Sequence, residues 1–348
     1  MQNGTEKQDI KSLLPEQLRE ELTSKGLQGF RADQVFQWLG KGVSSFDEMS
    51  NLPTSMREKL ASIYEIPALL LLKKQTSQMD GTTKLLWQLP DGESVETVLM
   101  RYKHGNTVCI STQVGCRMGC SFCASTIGGR VRNLRASEIL DEVIRTQIET
   151  QCPISNIVLM GIGEPLDNFD NVYRFLQLVN HPKGMNIGMR HISLSTCGLV
   201  DGIDRLAELN LQLTLSVSLH APDDETRSAI LPVNKRYGVD QLYDACSRYF
   251  KRTGRRISFE YSMIRDVNDT DRHAEMLAER LKNMHAHVNL IRLNYVSERG
   301  LMPSREEQVR RFAGILENHG VTVTVRRRLG TDIDAACGQL RRREMREQ

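Results

Sequence analysis

From residue 107 onward the chain alternates six short β-like runs, 107–112, 157–160, 192–196, 213–219, 257–263 and 288–293, with longer helical stretches such as 137–150, 239–252 and 271–284. Parallel neighbours in a sheet need crossovers of about a dozen residues or more, usually a helix, so this alternation predicts an α/β fold with a parallel sheet and helices outside it. Periodicity alone leaves open whether that sheet is flat or curled. A further run, Val321-Thr-Val-Thr-Val, leads into a Gly330 turn and a tail. Upstream, Leu14, Leu18 and Leu22 behind Pro15, then Val35, Phe36 and Leu39, then residues 56–64 after Leu52-Pro53, predict a small helical unit. The turn Pro90-Asp91-Gly92 separates Lys84-Leu-Leu-Trp-Gln-Leu from Ser94-Val-Glu-Thr-Val-Leu-Met and predicts a hairpin. The chain is thus expected to comprise a helical accessory domain (1–75), a hairpin-like extension (76–101), a core (102–330) and a C-terminal segment (331–348).

Composition narrows the class further. The longest apolar run, residues 66–72, is seven residues long and contains Pro67, against the roughly 18 needed to span a bilayer. No membrane span is expected. The opening Met1-Gln-Asn-Gly-Thr-Glu-Lys-Gln-Asp has no apolar h-region, so a reducing cytoplasm is the expected compartment. The net charge of +3 is too small to announce a nucleic-acid partner, and the first 75 residues carry ten basic and ten acidic groups. Basic residues do cluster, at Arg130/Arg132/Arg135, Lys251/Arg252/Arg255/Arg256, Arg326/Arg327/Arg328 and Arg341/Arg342/Arg343. Each cluster has the makings of a phosphate-binding surface, and equally of a solvated helix or strand end. Eight cysteines in a chain with no secretory signal favour metal or redox chemistry over a disulfide scaffold.

The chemistry concentrates in Cys116-Arg-Met-Gly-Cys120-Ser-Phe-Cys123, directly after the first β run. Three thiolates on one loop suit an iron–sulfur cluster, and a [4Fe–4S] cube normally takes four, so one iron is left open for a ligand. The alternative is a zinc ion completed by a distant His or Cys, but zinc sites usually show a second ligand pair downstream, and none appears. After the second β run comes Met160-Gly-Ile-Gly163-Glu164-Pro165. Its glycines permit close backbone approach and its carboxylate can accept hydrogen bonds from an ammonium group, although alone it reads as an ordinary strand-to-helix connection.

The C-x3-C-x-aromatic-C loop, with Phe122 as the aromatic, resembles the signature of the radical S-adenosylmethionine (radical SAM) superfamily. The resemblance implies a partial (β/α)6 barrel with the cluster loop at the C-terminal end of the first strand, flanked here by the N-terminal helical accessory domain and a C-terminal extension. It further implies a [4Fe–4S] cluster held by Cys116, Cys120 and Cys123, whose fourth iron chelates S-adenosylmethionine and splits it to a 5′-deoxyadenosyl radical. Gly163 and Glu164 match the element that binds the methionyl amino group. Ser195 in Leu194-Ser-Thr-Cys-Gly, Ser218-Leu219-His220 and Asn294 match further cofactor contacts. Read singly, the serines are strand-end polar residues and His220 a hydrogen-bonded core histidine; their place at successive strand ends makes them a set.

Asp332-Ile-Asp334-Ala-Ala-Cys337-Gly-Gln-Leu, with Cys109, resembles the narrower RlmN/Cfr group of RNA adenosine methyltransferases, and the match runs from Glu96 to Leu340. Carbons 2 and 8 of adenine lie between nitrogens, are electron-poor and cannot attack a sulfonium methyl, so carbon must reach the ring as a radical. The resemblance implies two S-adenosylmethionine molecules per turnover. One methylates the thiol of Cys337; the second, on the cluster, activates that S-methyl, which joins the base. Glu96, in Val95-Glu96-Thr97, would remove the ring proton, and Cys109 would attack the sulfur of Cys337 to leave a disulfide for cellular thiols to reduce. Without the match, Glu96 reads as a solvent-facing strand residue, and Cys109 and Cys337 as inert buried thiols, the reading kept for Cys152, Cys197 and Cys246.

The implied partners are 23S rRNA at the peptidyl transferase centre, tRNA at the adenosine 3′ of the anticodon, and a flavodoxin or ferredoxin as electron donor, with the protein a monomer. Thr112-Gln-Val-Gly-Cys116 and Ala124-Ser-Thr-Ile-Gly-Gly129 resemble the carbon-2 branch, whereas Arg292 stands where carbon-2 members often carry Pro. Carbon-8 methylation, the resistance-conferring branch, is the alternative. From another class, a non-enzymatic iron–sulfur RNA-binding regulator would share the cluster but would not require Glu96, Cys109 and Cys337 together with a Gly-Glu-Pro element.

Overall fold

The computed structural model describes residues 7–296, 298–333 and 340–341. At the N-terminus three helices, α1 (Pro15–Ser24), α2 (Ala32–Gly40) and α3 (Thr54–Ile63), are closed off by parallel pairing of β1 (Gln8–Asp9) with β2 (Tyr64–Glu65). Pro15 occupies the first turn of α1, where no hydrogen-bonded N–H is required. Leu18, Leu22, Val35, Phe36, Leu39, Met56 and Leu60 recur at helical spacing and are buried.

Residues 70–75, expected within the helical unit, instead form most of β3 (Leu70–Thr76), whose side chains alternate between exposed and half-buried. The leucine run 69–72 hides that two-residue period, because three of its members face different surroundings with the same side chain. β3 pairs antiparallel with β4 (Thr83–Gln88), which pairs with β5 (Ser94–Tyr102) across the expected Pro90-Asp91-Gly92 turn, and β5 pairs antiparallel with β6 (Gly105–Cys109). The extension is therefore three strands continuous with the core sheet.

From β6 the sheet is parallel. A small ladder, β7 (Gln113–Gly115) with β8 (Arg130–Asn133), interrupts it, and then α4 (Ala136–Thr150), β9 (Ile154–Leu159), α5 (Phe169–Asn180), β10 (Ile192–Thr196), α6 (Val200–Glu208) and β11 (Thr214–Ser218) follow. Two helices, α7 (Asp224–Ile230) and α8 (Val239–Thr253), precede β12 (Ile257–Met263); α9 (Asp271–Leu281), β13 (Ala286–Arg292), α10 (Glu306–Asn318) and β14 (Thr322–Val325) complete the order. The ten-stranded sheet runs β14-β13-β12-β11-β10-β9-β6-β5-β4-β3. All six expected runs are strands, and the further run at 321–325 supplies a seventh parallel strand.

The sheet is curled. In a flat sheet, strands about 4.8 Å apart would put β6 and β14 roughly 29 Å from each other. Leu329, just past β14, instead packs with Val98, Met100 and Cys109 of β5 and β6. The Gly330 N–H donates to Asp80 Oδ2 at 2.8 Å, and Ser77 Oγ to Asp332 Oδ1 at 2.6 Å. Among the described residues no helix is long and apolar enough to cross a membrane.

The helical unit is locked to the core through charge. Lys11 and Asp141 of α4 are both buried, with Nζ 2.5 Å from Oδ1. Asp141 Oδ2 also accepts the Leu69 N–H at 2.7 Å, and Lys11 donates to the Pro67 carbonyl at 3.0 Å. Burial lowers the pKa of Lys11, and Asp141 opposes that by favouring the ammonium. Asp141→Ala strands the ammonium and is expected to cost about 3–5 kcal/mol, less whatever Lys11 recovers by deprotonating. Denaturant unfolding should show that loss, with proteolytic nicking near residues 66–69 appearing first.

Candidate functional site

The β7–β8 ladder fastens the base of the cysteine loop. The Cys116 N–H donates to the Gly129 carbonyl at 2.9 Å, and Ser121 N–H to the Ile230 carbonyl at 2.9 Å. Thr126 Oγ1 donates to the carbonyls of Cys120 (3.1 Å) and Cys123 (3.0 Å), and receives Arg299 Nη2 at 2.6 Å. The three thiols ring a cavity of about 270 Å³ at the C-terminal ends of the parallel strands, where ligand sites of α/β sheets belong.

The glycine loop after β9 closes one wall. A Cβ on Gly161 would meet the Ile110 carbonyl oxygen at 2.5 Å, and one on Gly163, at φ +111°, would meet Gln113 N at 2.7 Å. Only glycine allows this close approach. Gln113 ties that loop to the cysteine loop: its Oε1 accepts the Glu164 N–H at 2.9 Å, while Nε2 donates to Asn133 (2.8 Å) and Asp167 (2.9 Å). Glu164 is buried; its oxygens accept the amides of Cys197 (2.7 Å) and Leu166 (3.1 Å), and among the described residues no basic side chain pairs with it. Burial raises its pKa against those hydrogen bonds.

Successive strand ends supply the remaining walls. Ser195, Ser218, His220 and Asn294 line the same cavity as the three cysteines, Gly163 and Glu164. Leu219 does not: its side chain is fully buried in the main core, and its N–H and C=O bond to the Glu260 carbonyl and to Arg227. Ser218, the last residue of β11, faces the cavity, while Leu219, just past the strand, turns its side chain into the core. His220, at φ +57°, accepts the Ser262 N–H on Nδ1 at 2.9 Å and meets Phe122 edge-on with centroids 4.9 Å apart. Burial, with Arg227 nearby, pushes its pKa down to about 3.

Arg227 was not singled out from sequence. It looks like an exposed residue of Asp-Glu-Thr-Arg, yet it is fully buried and donates to the carbonyls of Cys197 (2.6 Å), Ser218 (3.2 Å) and Leu219 (3.0 Å) and to Asn234 (2.9 Å). It staples the ends of β10 and β11. Cys197, read as an inert thiol, also lines the cavity, whereas Cys246 lies in the main core. Glu260, which no local motif marks, and Arg326, from the basic run 326–328, line the cavity too.

The other expected residues gather on an adjoining patch. Cys109 is buried with Val98, Met100, Val158, Met160 and Leu329, and Met160 also lines the thiol cavity. Glu96, expected to face solvent if it had no role, is buried on β5, 2.9 Å from the equally buried Lys84. Its Oε1 accepts the Arg341 N–H at 2.5 Å, and Arg341 Nη2 pairs with Glu93 at 3.1 Å. Cys337 lies outside the described residues.

Two family models match the chain: the radical SAM superfamily over residues 110–281 and the ribosomal RNA large subunit methyltransferase N-terminal domain over residues 8–66. A protein of Desulforamulus reducens named "Probable dual-specificity RNA methyltransferase RlmN" is 51% identical over 98% of this chain and 98% of its own length. The chain belongs to the RlmN family. A Geobacillus thermodenitrificans protein of the same name is 50% identical over 97% of this chain and 94% of its own. Among solved structures, a radical SAM methyltransferase from Sphaerobacter thermophilus is 42% identical and superposes with a TM-score of 0.91 over 95% of this chain and 98% of that one. The N-terminal match ends at residue 66, just before β3, consistent with a helical unit shorter than residues 1–75.

RlmN proteins, as radical SAM enzymes, use a [4Fe–4S] cluster and S-adenosylmethionine, and this cavity fits both. Burial pushes the Cys116 thiol up to about 12 and that of Cys120 further; the Cys120 sulfur also feels Cys123 and Cys116, and the Cys116 sulfur feels Cys123. Thiolates in such a place require metal charge to hold them ionised. Three sulfurs on one cavity wall suit a cluster in which each binds its own iron. Glu164, a buried carboxylate with no cationic partner among the described residues, suits the ammonium of the cofactor's methionyl end.

Gly163→Ala should strain the loop by about 1–3 kcal/mol, lowering the melting temperature by a few degrees and weakening S-adenosylmethionine binding in equilibrium titrations. His220 gives a pH signature. The unfolded imidazole takes a proton near 6.5, which the folded one refuses until about 3. Stability from this group is therefore complete above 6.5 and declines as pH falls through that window, by up to about 1.4 kcal/mol per pH unit. Denaturant melts of wild type and His220→Asn at about pH 7 and about pH 5 should differ in that slope, the variant being flatter.

Proposed function

We propose that this protein methylates carbon 2 of an adenosine in 23S rRNA, at the peptidyl transferase centre, and the adenosine 3′ of the anticodon in tRNA. It is a radical SAM RNA methyltransferase of the RlmN family. The observation that carries the reading is a shared wall: Met160 lines the thiol cavity and packs against Cys109, so cofactor and thiol chemistry meet across one side chain. Carbon 2 is favoured over carbon 8 by the motifs Thr112-Gln-Val-Gly and Ala124-Ser-Thr-Ile-Gly-Gly.

Cys116, Cys120 and Cys123 would hold the cluster, and Gly163, Glu164, Ser195, Ser218, His220 and Asn294 the S-adenosylmethionine. When bound, these groups supply a 5′-deoxyadenosyl radical able to take hydrogen from an S-methyl group. The chain's own residues do the rest. Cys337 carries the methyl sulfur. Glu96 is the proton acceptor, a buried carboxylate on β5 beside Lys84 and the Arg341 amide. Cys109, shielded by Val98, Met100 and Met160, attacks the sulfur of Cys337 as product leaves, forming a disulfide that cellular thiols reduce. Electrons for cofactor cleavage come from a flavodoxin or ferredoxin, and the protein works as a cytoplasmic monomer.

The test is anaerobic reconstitution with tRNA and 23S rRNA fragments, S-adenosylmethionine and dithionite, followed by mass mapping of the RNA. The expected result is 2-methyladenosine with 5′-deoxyadenosine; 8-methyladenosine would overturn the carbon-2 assignment, and intact RNA from a fully loaded enzyme would overturn the function. Cys109→Ala is expected to accumulate protein covalently joined to RNA, visible as a slow band on denaturing gels, with little free product. Methylated RNA released at the normal yield would remove Cys109 from that role.

A further inference from the structure

A second cavity, of about 350 Å³, adjoins the first and shares Ile291, Asn294 and Arg326 with it. Its floor includes Val98 and Met100, which pack on Cys109. Four guanidinium groups, Arg292, Arg326, Arg327 and Arg328, line it, and among the described residues no carboxylate does. We propose that this cavity is a phosphodiester-binding subsite that grips the RNA strand on the flank of the target adenosine. The proposal rests on the RNA-methyltransferase reading above and adds the groups that seat the substrate.

The charge balance separates this cluster from the other basic runs. Arg130 pairs with Asp167 at 2.8 Å, Arg132 with Glu138 at 2.7 Å and Asp91 at 2.6 Å, Arg135 with Glu65 at 3.0 Å, and Arg341 with Glu93 at 3.1 Å. Lys251, Arg252, Arg255 and Arg256 surround the start of β12, the end of the strands away from the cavity. Among the described residues no carboxylate lies within ion-pair distance of Arg326, Arg327 or Arg328; Arg328 Nη2 donates only to the Leu293 carbonyl, at 3.1 Å, and Arg292 reaches Glu306 at 4.0 Å. Arg326 still favours the ionised form of Glu260 from beyond that distance, yet the cluster is cationic overall, and like charges gathered together repel one another until an anion arrives.

The lining also fits a phosphodiester in detail. Guanidinium forks match phosphate oxygens in pairs. The buried Thr82 hydroxyl also lines the cavity, next to the Asp80 carboxylate that accepts the Gly330 N–H. Tyr295, about half exposed at 53%, stands on the same wall and offers a face on which a base can stack. A nucleic-acid strand presents a phosphate on either side of each base, so a base directed over Val98 and Met100 toward Cys109 brings its flanking phosphates to the arginines.

Arg327 and Arg328 are exposed and outside the catalytic set, so Arg327→Ala/Arg328→Ala should fold normally. Binding of a labelled anticodon stem-loop is measured against salt concentration. Affinity should fall about tenfold or more and the slope of log K against log salt should drop by about 1 per arginine, with KM raised and kcat unchanged. Arg327→Lys should recover much of the slope. Cluster absorbance and S-methylation of Cys337 without RNA should match wild type. An unchanged slope in the double variant would overturn the proposal. So would tight binding of inorganic phosphate that the variant abolishes while RNA affinity stays intact, which would make the cavity a small-anion site. Arginine-dependent RNA binding by a wild-type enzyme that never methylates RNA would instead uphold the subsite and overturn the reading it rests on.

Discussion

Charge without a counterion inside the protein governs this molecule. Desolvating an ion costs several kcal/mol, and a folded chain meets that cost either with an opposite charge of its own or with one from a ligand. Lys11–Asp141 and Lys84–Glu96 take the first course. In the proposed reading Glu164 and the three thiols take the second on the anionic side, and Arg327 and Arg328 on the cationic side. These groups occupy two adjoining cavities of opposite character. One asks for iron and an ammonium, the other for phosphate, and the Cys109 patch lies between them.

The scaffold places these groups by making every parallel strand stop at one rim. Because side chains alternate along a strand, the last inward residue of each strand faces the same space. Ser195 and Ser218 are such positions, and Asn294 follows two residues after β13. Buried cross-links keep that rim in register: Gln113 joins the cysteine loop to the glycine loop, and Arg227 joins the ends of β10 and β11 through their carbonyls. Neither belongs to the set that touches cofactor in the proposed mechanism, yet both decide whether that set converges.

Much of this was legible beforehand. The six β/α alternations, the antiparallel strands around Pro90-Asp91-Gly92 and the thiol loop were all readable as local patterns, and nine of the expected site residues do line one cavity. The misses share a cause. Residues 70–75 were assigned to the helical unit because a leucine run carries no period. Leu219 was grouped with Ser218 and His220, although just past the end of β11 its side chain turns into the core. Arg227 and Cys197 were passed over because burial of a polar group depends on what folds over it, which neither residue's neighbours in sequence reveal.

The sequence by itself determined which chemistry is present and where along the chain it falls: three thiols on one loop, a glutamate after a glycine turn, polar residues at strand ends, four basic runs. Only the tertiary structure decided which charges cancel. Arg132 and Glu138 are six residues apart and neutralise each other, Lys84 and Glu96 meet across two strands, and Glu93 holds Arg341 from the far end of the chain. Coulomb energy falls with distance in space and takes no account of separation along the chain, so the curl of the sheet, which brings Leu329 back against Cys109, is what leaves one arginine run unpaired beside the thiol cavity.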